Sequence, residues 1–153
     1  MIDKSDLIQV VKFKKVRPNA ITPTYAHASD SCADLFIPET IHIGPGDTLI
    51  VWTGIALELP FCFEARVRGR SGLASKGIQV HQGTIDNHYT GELGVIMTNT
   101  NGISYDIEAG KAIAQLSINP VYQILFQEVT ELPETDRGSK GFGSSDGTTR
   151  NNT

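Results

Sequence analysis

The chain has 153 residues, a formal net charge of −4, a sequence pI near 5.5 and 39% hydrophobic residues. That length fits one domain, for which about 100–200 residues is usual, and the acidic balance excludes a nucleic-acid coat while leaving room for a nucleotide held by a few placed cations. No run approaches the ~20 apolar residues of a membrane helix, and the opening MIDKSDLIQVVKFKKV lacks the apolar stretch of a secretory signal. A soluble intracellular protein with no membrane or nucleic-acid partner is expected.

Alternation of apolar and polar residues, the signature of strands, runs from residue 8 to residue 129. Gly44-Pro45-Gly46 and Leu59-Pro60 mark early turns. In Cys62–Arg68, Phe63, Ala65 and Val67 share one face and Glu64, Arg66 and Arg68 the other. Ser71–Lys76 has room for about one helical turn. In Thr90–Thr98, Leu93, Val95 and Met97 share a face; after Asn101-Gly102 and Ala109-Gly110, Ala112, Ala114, Leu116 and Ile118 oppose Ile113, Gln115 and Ser117. Short strands punctuated by Gly and Pro predict an all-β sandwich or barrel. Cys32 and Cys62 form no CxxC pattern and are expected to be free, buried thiols. Composition changes near Pro133, so residues 1–132 are read as the β domain and 133–153 as a Gly/Ser-rich arm, too poor in apolar residues to order itself.

Several familiar patterns are absent or misplaced. There is no GxxxxGK[ST] loop, Gly141-Phe142-Gly143 sits in no βαβ unit, and Gly143-Ser144-Ser145-Asp146-Gly147 lacks the strand and helix that a serine elbow requires. His27, His42, His81 and His88 have no ligand spacing. Three segments remain. Gly69-Arg70-Ser71-Gly72-Leu73-Ala74 follows a strand and offers backbone N–H groups, a guanidinium and a hydroxyl suited to phosphate, or is a plain turn. The run from Gly83 to Glu92 (GTIDNHYTGE) combines a carboxylate with an aromatic three residues on, as a pocket floor or as a hairpin turn. Arg137 to Ser145 (RGSKGFGSS) combines cations, glycines and one aromatic, as a nucleotide lid or as a disordered tail.

Taken with Cys32-Ala33-Asp34-Leu35 and the Gly110–Leu116 run (GKAIAQL), these segments resemble, in order, the five motifs of the trimeric dUTP pyrophosphatase (dUTPase) family, over residues 10 to 147. The resemblance implies a jelly-roll-like (β-clip type) all-β homotrimer. Its active sites would lie at subunit junctions, with the C-terminal arm of one subunit closing a neighbour's site. It implies Mg²⁺-dependent hydrolysis of dUTP to dUMP and pyrophosphate by water attack on the α-phosphorus, limiting uracil in DNA and supplying dUMP. Asp86 would orient the water and meet the 3′-hydroxyl, and Tyr89 would pack on deoxyribose and exclude a 2′-hydroxyl. The hairpin of roughly residues 78–85, with Gly83, Thr84 and Ile85, would read uracil through its backbone. Arg70, Ser71, Gly72 and Gln115 would hold the phosphates, and Asp34 would support the site. Arg137 would meet the terminal phosphate, Phe142 would stack on uracil, and Gly143 and Ser144 would complete the arm's contacts. Mg²⁺ would be held mainly by the triphosphate, with no direct protein ligand.

Two of the motifs depart from the family pattern: Cys32 replaces a common glycine, which predicts strain if φ must be positive there, and Lys111-Ala112 replaces an acidic and then a basic residue. Two other readings stand beside the enzyme. One is a dCTP deaminase-like or bifunctional relative, which would need a general acid/base for which only His81 and the nearby hairpin offer candidates. The other is a non-catalytic trimeric β-sandwich used for binding.

Overall fold

The computed structural model describes residues 10–141. The chain divides into two compact units, Met1–Gln123 and Ile124–Thr153. In the first unit the described strands are β1 (Lys12–Lys15), β2 (Ala33–Phe36), β3 (Ile41–Ile43), β4 (Thr48–Glu58), β5 (Phe63–Gly69), β6 (Ile78–Val80), β7 (Gly83–Ile85), β8 (Glu92–Asn99), β9 (Tyr105–Ile107) and β10 (Ala112–Pro120); α1 (Ser71–Ala74) is a single turn. The fold is therefore all-β and jelly-roll-like, as expected. No described helix is long and apolar enough to cross a membrane.

Two four-stranded sheets, ordered β1-β4-β8-β6 and β2-β10-β5-β7, and a small β3-β9 ribbon are all antiparallel. One core serves all three, drawing Val51, Leu93, Val95 and Met97 from the first sheet, Leu35, Ala65, Val67 and Leu116 from the second, and Ile43 and Ile107 from the ribbon. The period of two works cleanly in β5 and β8. Ala65 and Val67 point inward, as do Leu93, Val95 and Met97, while Ile96 lies outside.

Elsewhere the backbone overrides the pattern. In β10 both Ile113 and Ala114 are buried, because a bulge shifts the register with β2 between Ala112 and Ala114 and inserts an extra residue. The expected opposition of Ile113 to Ala114 fails for that reason. The segment 78–85 is not a paired hairpin: β6 pairs with β8 in one sheet and β7 with β5 in the other. Alternation was read as far as residue 129, yet no described strand follows Pro120. Neither cysteine is fully buried; both are free, and Cys62 is exposed in a turn at φ 64°. It is the only described non-glycine residue with positive φ, so the glycine-to-Cys32 departure brings no backbone strain.

A second irregularity, in β4, sets the frame of the site. The β4–β8 register slips between Trp52 and Ala56, around Gly54 at φ 75°. A Cβ on Gly54 would lie 2.6 Å from the Ala20 Cβ, so only glycine fits. The opened ladder is filled by a side chain. Glu92 Oε1 accepts from the Gly54 N–H at 2.8 Å and from Arg17 Nε at 2.6 Å, and Oε2 accepts from Arg17 Nη2 at 3.3 Å. That hydrogen bond to Glu92 is the main cause of the raised Arg17 pKa. Thr53, fully buried beside it, donates to the Leu93 carbonyl at 3.0 Å. Replacing Glu92 with Gln removes the charge from both contacts. A loss of about 1–3 kcal/mol is expected, seen at fixed protein concentration as a lower urea midpoint with unchanged slope; an unchanged midpoint would show that the bulge holds without it.

Candidate active site

The sequence-selected residues collect into two clefts. The first, about 320 Å³, is lined by Gly83, Thr84, Ile85, Asp86 and Tyr89, together with Ile50, Trp52, Leu93, Gly94 and Ile96. Its first wall is β7, an edge strand paired on one side only: Gly83 sits opposite Val67, Thr84 opposite Arg66 and Ile85 opposite Ala65 of β5. Asp86 follows directly and opens a turn closed by the Tyr89 N–H on the Asp86 carbonyl at 3.0 Å. The Asp86 carboxylate has no partner among the described residues, and it is the only acidic side chain lining this cleft. The Tyr89 hydroxyl donates to the Glu92 carbonyl at 2.9 Å, which lays the ring back over the turn. Gly91 permits this, since a Cβ there would come within 2.6 Å of the Tyr89 Oη.

The other wall escaped the sequence reading. Ile50 and Trp52 point outward from β4 and pair in register with Ile96 and Gly94 of β8. A Cβ on Gly94 would meet the Ile50 Cγ2 at 2.9 Å, so this glycine lets the two large side chains lie across β8. The legible signal was a glycine in the middle of a strand, which marks close approach.

The second cleft, about 740 Å³, is lined by Arg70, Ser71, Gly72 and Gln115, and also by Lys76, Tyr105, Asp106, Glu108 and Lys111. Arg70 is the N-cap of α1 with extended backbone and makes no side-chain cap bond. Its Nη1 forms an ion pair with Asp34 Oδ1, but without hydrogen-bond geometry, and that buried nitrogen has no hydrogen-bond partner among the described residues. Asp34, which lines neither cleft, thus meets one end of the Arg70 guanidinium. Gln115 stands in register between Asp34 of β2 and Arg68 of β5. The N–H groups of Ser71 and Gly72 bond to no backbone carbonyl, as at any helix start. No protein atom lies within 4 Å of a Cβ built on Gly72, so packing within the chain does not demand glycine there.

The two clefts share no lining residue. The structure thus brings the Asp86–Tyr89 set together and the Arg70–Gln115 set together, but places no residue of either in the other's cleft. His81 lines neither; its Nε2 is hydrogen-bonded to Thr98 Oγ1 at 2.8 Å, and Thr98 to Thr48 Oγ1 at 2.7 Å. Arg137 lies in the second unit, where its Nε donates to the Lys140 carbonyl at 3.2 Å. Phe142, Gly143 and Ser144 lie outside the described residues.

Comparison with known proteins bears on this arrangement. The family model for dUTPase matches residues 18–146. A deoxyuridine 5′-triphosphate nucleotidohydrolase from Clostridioides difficile is 43% identical over 137 residues, covering 88% of this chain and 96% of its own. One from Crocosphaera subtropica is 45% identical over 141 residues, covering 88% and 96%. Among solved structures, the dUTPase of Staphylococcus bacteriophage 80alpha with dUPNHPP is similar at a TM-score of 0.85 and 29% identity, over 90% of this chain and 99% of that one. A variant dUTPase from phage phi11 of S. aureus, described with a structural Mg(II) ion, is similar at a TM-score of 0.76 and 25% identity, over 80% and 98%. With the family model spanning most of the chain and relatives this close, the chain belongs to the dUTPase family.

Proposed function

We propose that the chain hydrolyses dUTP to dUMP and pyrophosphate, by attack of water on the α-phosphorus with release of a proton. The role would be to limit uracil in DNA and supply dUMP for thymidine nucleotides. The observation that carries this reading is the first cleft: an edge strand, one unpartnered carboxylate and one tyrosine against an apolar wall. The free backbone edge of β7 suits the amide pattern of uracil, and a ring with donor and acceptor exchanged would leave buried groups unpaired. The wall of Ile50, Trp52 and Ile96 suits the flat apolar face of a base or sugar. Tyr89, tied to Glu92, would pack on deoxyribose and leave no space for a 2′-hydroxyl.

Asp86 would take the water's proton and hold the oxygen in line with the α-phosphorus. A carboxylate is a weak base, so placement and charge stabilisation would supply most of the acceleration. Arg70, Ser71, Gly72 and Gln115 would bind the phosphate oxygens, Asp34 fixing the guanidinium. Among the described residues no three carboxylates, histidines or cysteines converge. Mg²⁺ would be carried mainly by the triphosphate oxygens, where it would offset negative charge.

One nucleotide needs both clefts. We infer that Asp86 and Tyr89 of one copy face Arg70 and Gln115 of another, in a homotrimer with sites at the junctions. The arm, with Arg137 and Phe142, would close a neighbouring copy's site.

The first test is pyrophosphate release from dUTP, dTTP, dCTP and UTP, with and without Mg²⁺. Release from dUTP alone, enhanced by the metal, is expected; no release from any of them would defeat the reading, and ammonia from dCTP would favour the deaminase. Asp86→Asn should lower turnover roughly 10²–10⁴-fold while the affinity for a non-hydrolysable dUTP analogue is kept; near-normal turnover would exclude Asp86 as the base. Unfolding and refolding an equal mixture of Asp86→Asn and Arg70→Gln chains should restore about a quarter of the sites if they form between copies, whereas sites within one chain would restore none. Gly91→Ala should fold like the parent, because only the tip of Tyr89 must move, and the ratio of kcat/KM for dUTP over UTP should fall roughly tenfold or more; an unchanged ratio would remove Tyr89 from sugar selection.

A further inference from the structure

We infer that Lys111 is an additional phosphate-binding residue of the second cleft, contacting the outer phosphates of the nucleotide. The inference rests on the proposed reading of that cleft as the triphosphate site.

Five charged side chains line the cleft: Arg70, Lys76, Lys111, Asp106 and Glu108. Three have a defined engagement. Arg70 is paired with Asp34, Lys76 Nζ donates to the Tyr105 hydroxyl at 3.3 Å, and Asp106 Oδ1 is bonded to His42 Nδ1 at 2.5 Å. Glu108 meets only Lys111, at 3.9 Å, with both side chains well over half exposed. An exposed pair at the limit of contact is worth little, so a polyanion would draw the ammonium group away from Glu108 readily. The cleft therefore offers three cations against two carboxylates, one of which is already hydrogen-bonded to a histidine.

The root of Lys111 is held firmly, although its tip is free. Gly110 turns the chain at φ 82°, the Lys111 N–H donates to the Glu108 carbonyl at 3.2 Å, and the Lys111 carbonyl accepts from the Ile37 N–H at 3.1 Å. The next residue, Ala112, and Gln115 line the same cleft, so Lys111 stands among its lining residues with only a short side chain beside it in sequence. A lysine is a mobile point charge with three donors, suited to a terminal phosphate whose position varies.

The test separates an outer-phosphate contact from a structural effect. In Lys111→Gln, KM for dUTP should rise roughly five- to twenty-fold with kcat within about two-fold, the mark of lost uniform binding. Inhibition by inorganic pyrophosphate should weaken in step, inhibition by dUMP should stay as in the parent, and Lys111→Arg should restore KM. An unchanged KM for dUTP overturns the inference, and so does a parallel loss of dUMP inhibition, which would place the effect on the whole site. If the parent protein does not hydrolyse dUTP, the functional reading fails by itself. Titration with inorganic tripolyphosphate then decides Lys111 alone: weaker binding by Lys111→Gln sustains it, and equal binding overturns it.

Discussion

Glu92 joins three things that would otherwise be independent. Its carboxylate closes the opened ladder at Gly54 and holds Arg17, and its carbonyl receives the Tyr89 hydroxyl. It is also the first residue of β8. The turn from Asp86 to Glu92 is therefore tied at its far end to a partly buried ion pair on the main sheet. A half-buried carboxylate that accepts from both a guanidinium and a backbone N–H is costly to strip of either partner. The orientation of Tyr89, and through the Tyr89 N–H the shape of the turn at Asp86, follows from that tie. Gly91 and Gly54 are the two places where the chain must give up a side chain for this arrangement to close.

The same economy explains why one chain carries two incomplete clefts. The strand β5 lies between β7, which lines the first cleft, and β10, which supplies Gln115 to the second. Across β7 the edge is open and leads to Asp86. Across β10 the register sets Gln115 between Asp34 and Arg68, and the end of β5 leads to Arg70. The groups proposed to bind a base and those proposed to bind phosphates thus face different clefts. In the proposed reading a nucleotide bridges two copies, and symmetry would then supply equivalent sites without any further element.

Much of this was legible in the residues. Alternation located β5 and β8 and their inward sets, Ala65 and Val67 and Leu93 to Met97, because both lie inside sheets with one buried face. The motif segments picked out Asp86, Tyr89, Arg70 and Gln115, all of which line one of the two clefts, because carboxylate, phenol, guanidinium and amide groups in short motifs stand out in the sequence. What stayed hidden depended on register. The bulge in β10 buries Ile113 beside Ala114, a change that no period of two anticipates. The splitting of 78–85 between two sheets is a matter of partners that lie elsewhere in the sequence, in β5 and β8. The wall of Ile50, Trp52 and Ile96 was hidden for the same reason, since outward apolar residues on separate strands become one surface only when their pairing is known. The arm's Phe142, Gly143 and Ser144 rest on the sequence alone.

The splayed β6 and β7 leave backbone groups facing the first cleft that a closed hairpin would not. A closed hairpin would spend the inner N–H and C=O groups of both strands on each other. Here each strand is paired outward, β6 to β8 and β7 to β5, and the connecting residues His81 and Gln82 span the gap between sheets. The inward backbone groups of β7 are left to be satisfied by solvent or by a ligand. Backbone groups cannot rotate to suit a different ring, so a pattern fixed by two sheets discriminates more sharply than side chains would. The selectivity proposed for this protein is in that sense a property of sheet topology, with Tyr89 and Asp86 set beside it by the Glu92 tie.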